Sequence, residues 1–258
     1  SLPEGIKRAI TMLAQSTSDR MVEQPETLRE RAFALLRPYR RDLTWWSIAM
    51  LAGVAGQIPL GGITVLTHLH PASVGSHFVL SMVLMAFATT LTWRAWHAPG
   101  PRTVLVSPTE LNLSRVALLG ASALMITGPV VTGSGPHAGG EDVDRFGFFI
   151  PDVVRVHSIN MWIFLVTTVV LMACLARSRA PQHVMRRGQR LLLAIVVQGS
   201  IGYAQYELGI PPWLVILHIA GATAVLGLTV WFHLGLSGPA PEGTAAATSE
   251  PDQSMATL

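Results

Sequence analysis

The chain has 258 residues, of which 50% are hydrophobic and only 13% charged, where a soluble domain carries roughly 25% charged residues. Its formal net charge is +3 and its pI about 9.6, yet the arginines stand at the ends of apolar runs, which points to membrane orientation and away from nucleic acid. Cys174 is the single cysteine, so an internal disulfide and a CxxC metal or redox pair are both excluded.

Residues 1–41 stand apart as a polar segment. The run TLRERAFALLRPYRRD alternates arginine with Leu, Ala and Phe, which fits a short amphipathic helix on the membrane surface, ended by Pro38, and equally a poorly ordered tail. No signal-peptide hydrophobic region is visible near this end.

Beyond it the charges are segregated. No Asp, Glu, Lys or Arg occurs between Asp42 and Arg94, Arg115 and Glu141, Arg155 and Arg177, Arg190 and Glu207, or Glu207 and Glu242. A hydrocarbon core takes about 20 apolar residues in helical form, and we read two crossings in the first window and one in each of the others. The chain therefore reads as an all-α integral membrane protein with six transmembrane helices near 43–66, 77–97, 115–134, 153–177, 190–209 and 212–235. A soluble all-helical protein does not need so many charge-free windows in succession. Trp45, Trp46, Trp93 and Trp96 near helix ends read as interface anchors, and Cys174 as a small packing residue.

Arg37, Arg40 and Arg41 precede the first segment, Arg94 and Arg102 follow the second, and Arg177, Arg179, Arg186, Arg187 and Arg190 join the fourth to the fifth. The positive-inside rule makes that side cytoplasmic. Both termini then fall in the cytoplasm, with the chain multi-pass in the membrane. The organisation is a cytoplasmic segment 1–41, a helix pair 42–114, a helical half 115–235 and a tail 236–258 whose composition predicts disorder.

The two helical regions share a pattern. With a constant offset of 141, Gln57 falls on Gln198, Gly61 on Gly202, Pro71 on Pro212 and His77 on His218. Each half thus places a histidine just past a turn, inside a helix that descends from the outer face. His157 has the same placement in the fourth segment. Ionisable residues in a membrane are costly and point to function. Two imidazoles from facing helices can hold a haem iron as its axial pair, and Gly199, Gly202, Gly221 and Ala222 would leave room for a porphyrin. We read His157 and His218 as that pair, with Arg155 or Arg145 near the haem propionates. A structural role, a hydrogen-bonded interior histidine, is the ordinary alternative for any one of them.

The remaining histidines are weaker candidates. His68, His70 and His137 lie in outer loops, where they would line a haem edge or be solvated. His97, His183 and His233 sit at cytoplasmic boundaries and read as interfacial. The TGSGPHAGG loop is no nucleotide fingerprint, because it follows a membrane helix and opens no βαβ unit. Its glycines suit a loop that folds closely over the outer end of a cofactor site.

LGGITVLTHLHPASVGSHF, VTGSGPHAGG followed by Arg145-Phe146, VVRVHSINMW and QGSIGYAQYELGIPPWLVILH occur in that order, and together they closely resemble the haem A synthase family of actinobacterial type over residues 40–235. The resemblance implies eight membrane helices in two pseudo-symmetric four-helix bundles. It implies a haem b held by His157 and His218 in the C-terminal bundle. In the N-terminal bundle it implies oxidation of the C8 methyl of substrate haem O to the formyl of haem A, destined for cytochrome oxidase, with His77 as one ligand of the substrate haem. Haem O synthase, oxidase assembly factors and a second copy of the chain are the partners it suggests.

One part of the family pattern has no counterpart. The second N-terminal histidine and its neighbouring glutamate do not appear, and the offset carries His157 back to Ser16, in a region too polar to span a bilayer. The first two helices are then missing or replaced, leaving a helix pair beside a C-terminal four-helix haem-binding bundle. Two functions stay open: a haem A synthase-like oxidoreductase, and a non-catalytic haem b electron carrier or oxidase assembly factor. A transporter is disfavoured, because the apolar helices hold no acid or base at mid-depth.

Overall fold

The computed structural model describes residues 40–136 and 142–239. The N-terminal amphipathic segment, His137 and the tail from residue 240 lie outside the described residues. Six helices carry the chain: α1 (Arg41–Leu66), α2 (Pro71–Trp96), α3 (Pro108–Ser134), α4 (Ile150–Arg177), α5 (Gln182–Glu207) and α6 (Pro212–Leu234). A short antiparallel ribbon joins β1 (Arg102–Val104) to β2 (Ser237–Pro239), pairing Thr103 with Gly238. At the start of the described residues Arg40 pairs with Asp42 at 3.0 Å.

Proline sits in the first turn of α2, α3, α4 and α6, where a missing N–H costs no intrahelical bond. The starts of α2, α3 and α4 fall earlier than hydropathy alone places them, while α6 begins at Pro212 as expected. Helix α3 begins at Pro108 rather than near 115, because Ser107 and Glu110 form a reciprocal capping box. Helix α5 reaches back to Gln182 through the arginine-rich HVMRRGQR run. Among the described residues five helices are long and apolar enough to cross a membrane, all but α5, whose apolar run is interrupted by Gln198, Gln205 and Glu207. The tail also starts later than its composition predicts, since Ser237–Pro239 is held by the ribbon.

Helix α3 packs on α4, α4 on α5, α5 on α6 and α6 back on α3, closing a ring, while α2 lies against α3 and α6. The ring interior holds Phe164, Leu171, Leu175, Leu191 and Phe232, each 2% exposed or less. Helix α1 lies outside and buries no residue. It meets α2 where Trp46 packs edge-on to Phe87, ring centroids 5.1 Å apart. The outward faces are apolar: Leu51, Ile58, Leu119 and Ile216 are all exposed to the surroundings. Continuous apolar surface of this kind is what a lipid environment stabilises.

The internal repeat is present in the backbone. The offset of 141 carries both ends of α1 onto both ends of α5, and the start of α2 onto the start of α6. The turns between them also match. His68 and Leu69 have φ of 50° and 60°, and their counterparts Gly209 and Ile210 have 76° and 60°. Two consecutive left-handed residues reverse the chain in each half, at positions where only one of the four is glycine.

Trp93 departs from its expected role as an interface anchor. It is 3% exposed, stacked on His97 and set edge-on to Trp231.

Glu110 ties the ring together at this end. Its carboxylate, 2% exposed, accepts from the Ser107 amide at 2.7 Å and hydroxyl at 2.9 Å, and from the Ser178 hydroxyl beyond α4 at 2.7 Å. Glu110→Ala removes a helix cap and an interhelical bond together and is expected to destabilise by about 2–3 kcal/mol. Ser178→Ala, which removes one donor, is expected to cost less. Thermal unfolding in detergent checks both, and an unaltered melting temperature for Glu110→Ala counts against this role.

Candidate functional site

His77 and His218 are each the seventh residue of their helix, and His157 is the eighth. Only two of the three come together. His157 on α4 and His218 on α6 face one cavity of about 500 Å³ inside the ring, lined also by Gly128, Met161, Phe164, Gly199 and Gly202. Their ring centroids are 6.4 Å apart and their planes cross at 64°. Two imidazoles on one metal ion, with bonds of about 2.0–2.1 Å and each nitrogen about 1.1 Å from its ring centre, stand about 6.2–6.4 Å apart. The observed spacing equals that separation. The crossing angle is open to such a pair, since each ring rotates freely about its metal–nitrogen axis.

The hydrogen bonds of His157 leave one nitrogen bare. Its Nδ1 lies 2.8 Å from the Thr127 hydroxyl oxygen. That hydroxyl donates its own proton to the Ala123 carbonyl at 3.0 Å, so it accepts from Nδ1–H and Nε2 keeps a free lone pair. His218 is held differently. The Gln198 amide nitrogen donates to the His218 carbonyl at 2.7 Å and lies 3.0 Å from its Nδ1, while the Gln198 Oε1 is buried without a partner. As placed, the amide nitrogen makes Nδ1 an acceptor and keeps the His218 proton on Nε2. Turning the amide by half a turn presents Oε1 to an Nδ1–H and bares Nε2, and gives up the bond to the His218 carbonyl, so this group sets which tautomer His218 adopts.

The repeated residues prove to be one physical unit. Gln57 donates to the His77 carbonyl at 3.3 Å and to the Ser81 hydroxyl at 2.7 Å, as Gln198 donates to the His218 carbonyl. A Cβ added at Gly61 would stand 3.4 Å from the His77 ring, and one at Gly202 would stand 2.8 Å from the His218 ring. In each half a glutamine clasps the helix at the histidine and a glycine admits the ring.

His77 does not line the cavity. It faces Gly61 on α1, and its Nδ1 is buried without a hydrogen-bond partner. The counterpart of His157 in its half, Ser16, is outside the described residues. Among the described residues no three His, Cys, Asp or Glu side chains converge as metal ligands, so the constellation here is a two-histidine one.

Arg155 lines the mouth of the cavity with its side chain largely exposed, 3.4 Å from Asp152. Arg145 is elsewhere: it donates to the Gly135 carbonyl and pins the turn after α3, outside the cavity lining. Gly221, expected beside the cavity, instead houses the Gln198 amide. His68 and His70 are exposed in the turn before α2, where His70 Nδ1 caps the helix by accepting from Ala72. His183 is exposed. His97 stacks on Trp93, and His233 bonds to the buried Ser114 at 2.9 Å.

The sequence reading missed Thr127 and Gly128 on α3. The Gly128-Pro129 pair inside an apolar run was the available signal, and a hydroxyl next to it has no periodicity to reveal it.

The glycines under the two rings yield a test. Gly202→Ala places its Cβ inside the contact distance of the His218 ring and is expected to cost about 1–3 kcal/mol. Gly61→Ala, with 3.4 Å available at His77, is expected to cost less. Melting temperatures of the two variants in the same detergent decide it, and equal losses would contradict the closer fit at Gly202.

Comparison with protein-family models, with curated proteins and with solved structures finds no match, so the meaning of this site rests on its own geometry.

Proposed function

We propose that the chain is a membrane haem protein of the haem A synthase type, whose C-terminal four-helix bundle binds haem b between His157 and His218. The observation that carries this reading is the 6.4 Å separation of two opposed imidazoles in an apolar cavity. The cavity falls within the range of about 300–1,000 Å³ usual for ligand sites. Gly128, Gly199 and Gly202 give it flat walls.

The roles of this chain's residues follow from their contacts. His157 and His218 would hold the iron through Nε2, with Thr127 keeping one ring in place and Gln198, its amide turned to offer Oε1 to Nδ1, the other. Arg155, at the cavity mouth, offers a guanidinium to a propionate. Arg145 acts at one remove, by fixing the Gly135 turn. A bound haem b supplies one-electron transfer. Two histidine ligands would leave no position for oxygen, so this half would conduct electrons and not bind the oxidant.

In this reading all six helices span the plasma membrane, with α5 admitted by its packing against α4 and α6. The histidines lie toward the outer face and the arginine-rich ends in the cytoplasm. The α1–α2 pair belongs to the half that receives haem O, with His77 as its ligand, and haem O synthase and oxidase assembly factors are the matching partners.

A second reading is favoured by one observation: His77 stands with an unpartnered Nδ1 and no opposing histidine among the described residues. On that reading the chain is a haem b electron carrier or oxidase assembly factor without turnover.

The test is spectroscopic. The purified protein is expected to give low-spin b-type bands in a reduced-minus-oxidised spectrum, and His157→Ala or His218→Ala to abolish them. Unchanged bands in both variants would overturn the assignment. Haem extraction after co-expression with a haem O source separates the two readings: accumulation of haem A supports the synthase, and its absence supports the carrier.

A further inference from the structure

The end of the ring remote from the histidine pair carries a second, independent constellation. Trp93 lies buried there, with the Arg187 guanidinium 4.7 Å and the Arg102 guanidinium 5.9 Å from its ring. Two arginines thus share one aromatic ring, which offsets part of their mutual repulsion. Arg190 stands one turn on from Arg187 on α5, so its charge adds to those of Arg187 and Arg102. Arg102 is anchored by donating to the Ser237 hydroxyl at 3.2 Å and carbonyl at 2.6 Å. Arg187 is half-buried beside Gly235.

Three positive charges gathered in this way need an anion. Among the described residues none of the three arginines pairs with a carboxylate. Glu110, the acid at this end of the ring, is taken up by Ser107 and Ser178.

The surroundings say which anion fits. Trp96 and Trp231 stand edge to face beside Trp93, centroids 5.7 Å apart, an aromatic cluster of the kind found at headgroup depth. One to two turns along α5 from Arg190, Leu193, Val196 and Val197 are exposed apolar side chains, placed to meet acyl chains. Guanidinium forks match phosphate oxygens two at a time, and basic pockets between membrane helices favour anionic headgroups.

We propose that Arg102, Arg187 and Arg190, over the floor of Trp93, form a binding site for the phosphate headgroup of an anionic phospholipid. The assignment rests on membrane placement of the helices and is independent of the haem reading.

Native mass spectrometry of the full chain, delipidated in detergent, tests it with phosphatidylglycerol, phosphatidylcholine and inorganic phosphate as probes. Phosphatidylglycerol is expected to be retained in preference to phosphatidylcholine. Retention is expected to fall about tenfold in the Arg102→Gln/Arg187→Gln double variant and to recover partly in Arg187→Lys, which keeps the charge but not the fork. Arg190→Gln, on the surface, is expected to weaken retention without altering the fold, so the test survives if the double variant unfolds. Equal retention of the two lipids, or phosphatidylglycerol binding unchanged in Arg190→Gln and in the double variant, would overturn the site. Displacement of phosphatidylglycerol by an equal concentration of inorganic phosphate would overturn the lipid and leave a soluble phosphate as the ligand.

Discussion

Two imidazole rings facing each other across an apolar cavity are the interaction around which the helical ring is arranged. Polar rings inside a membrane-type bundle are costly unless their nitrogens are engaged. Here each ring has an engagement of its own. Thr127 on α3 takes the Nδ1 proton of His157, and Gln198 on α5 clasps His218 at both its ring and its carbonyl. All four ring helices therefore contribute to holding two side chains 6.4 Å apart. That is more support than a histidine buried for packing requires, and it fixes which nitrogen is offered to the cavity.

The repeat explains how such a site arises from simple parts, and why only one is complete. Each half of the chain contains a helical hairpin with a left-handed two-residue turn, a glutamine clasp and a glycine under the histidine ring. In the α5–α6 hairpin the ring meets His157 from α4. In the α1–α2 hairpin His77 has the clasp and the glycine but lies away from the cavity, with Nδ1 unpartnered. The difference is one of partners and not of local geometry: α5 and α6 close a ring with α3 and α4, whereas α1 buries no residue.

The two ends of the ring have different chemistry. At one end short turns and glycines give backbone-thin access to the histidine cavity. At the other, Glu110 caps α3 and joins it to the end of α4, the β1–β2 ribbon ties α2 and α6 together, and arginines crowd over Trp93.

The sequence by itself determined the helical membrane character, the hairpin repeat and the prominence of three histidines. Charge-free runs and residue spacing are local properties that survive any folding of the chain. It did not determine the helix starts, because hydropathy does not register a capping box such as Ser107 and Glu110, nor the burial of Trp93, which depends on what α5 and β1 lay over it. It read His157 and His218 as a pair and set His77 apart, but spacing along one chain measures depth and not the distance between helices. Only the tertiary structure decided that the two rings stand 6.4 Å apart on one cavity, and that Thr127, Gly128 and Gln198 support them. Those relations cross between helices whose order around the ring no single segment contains.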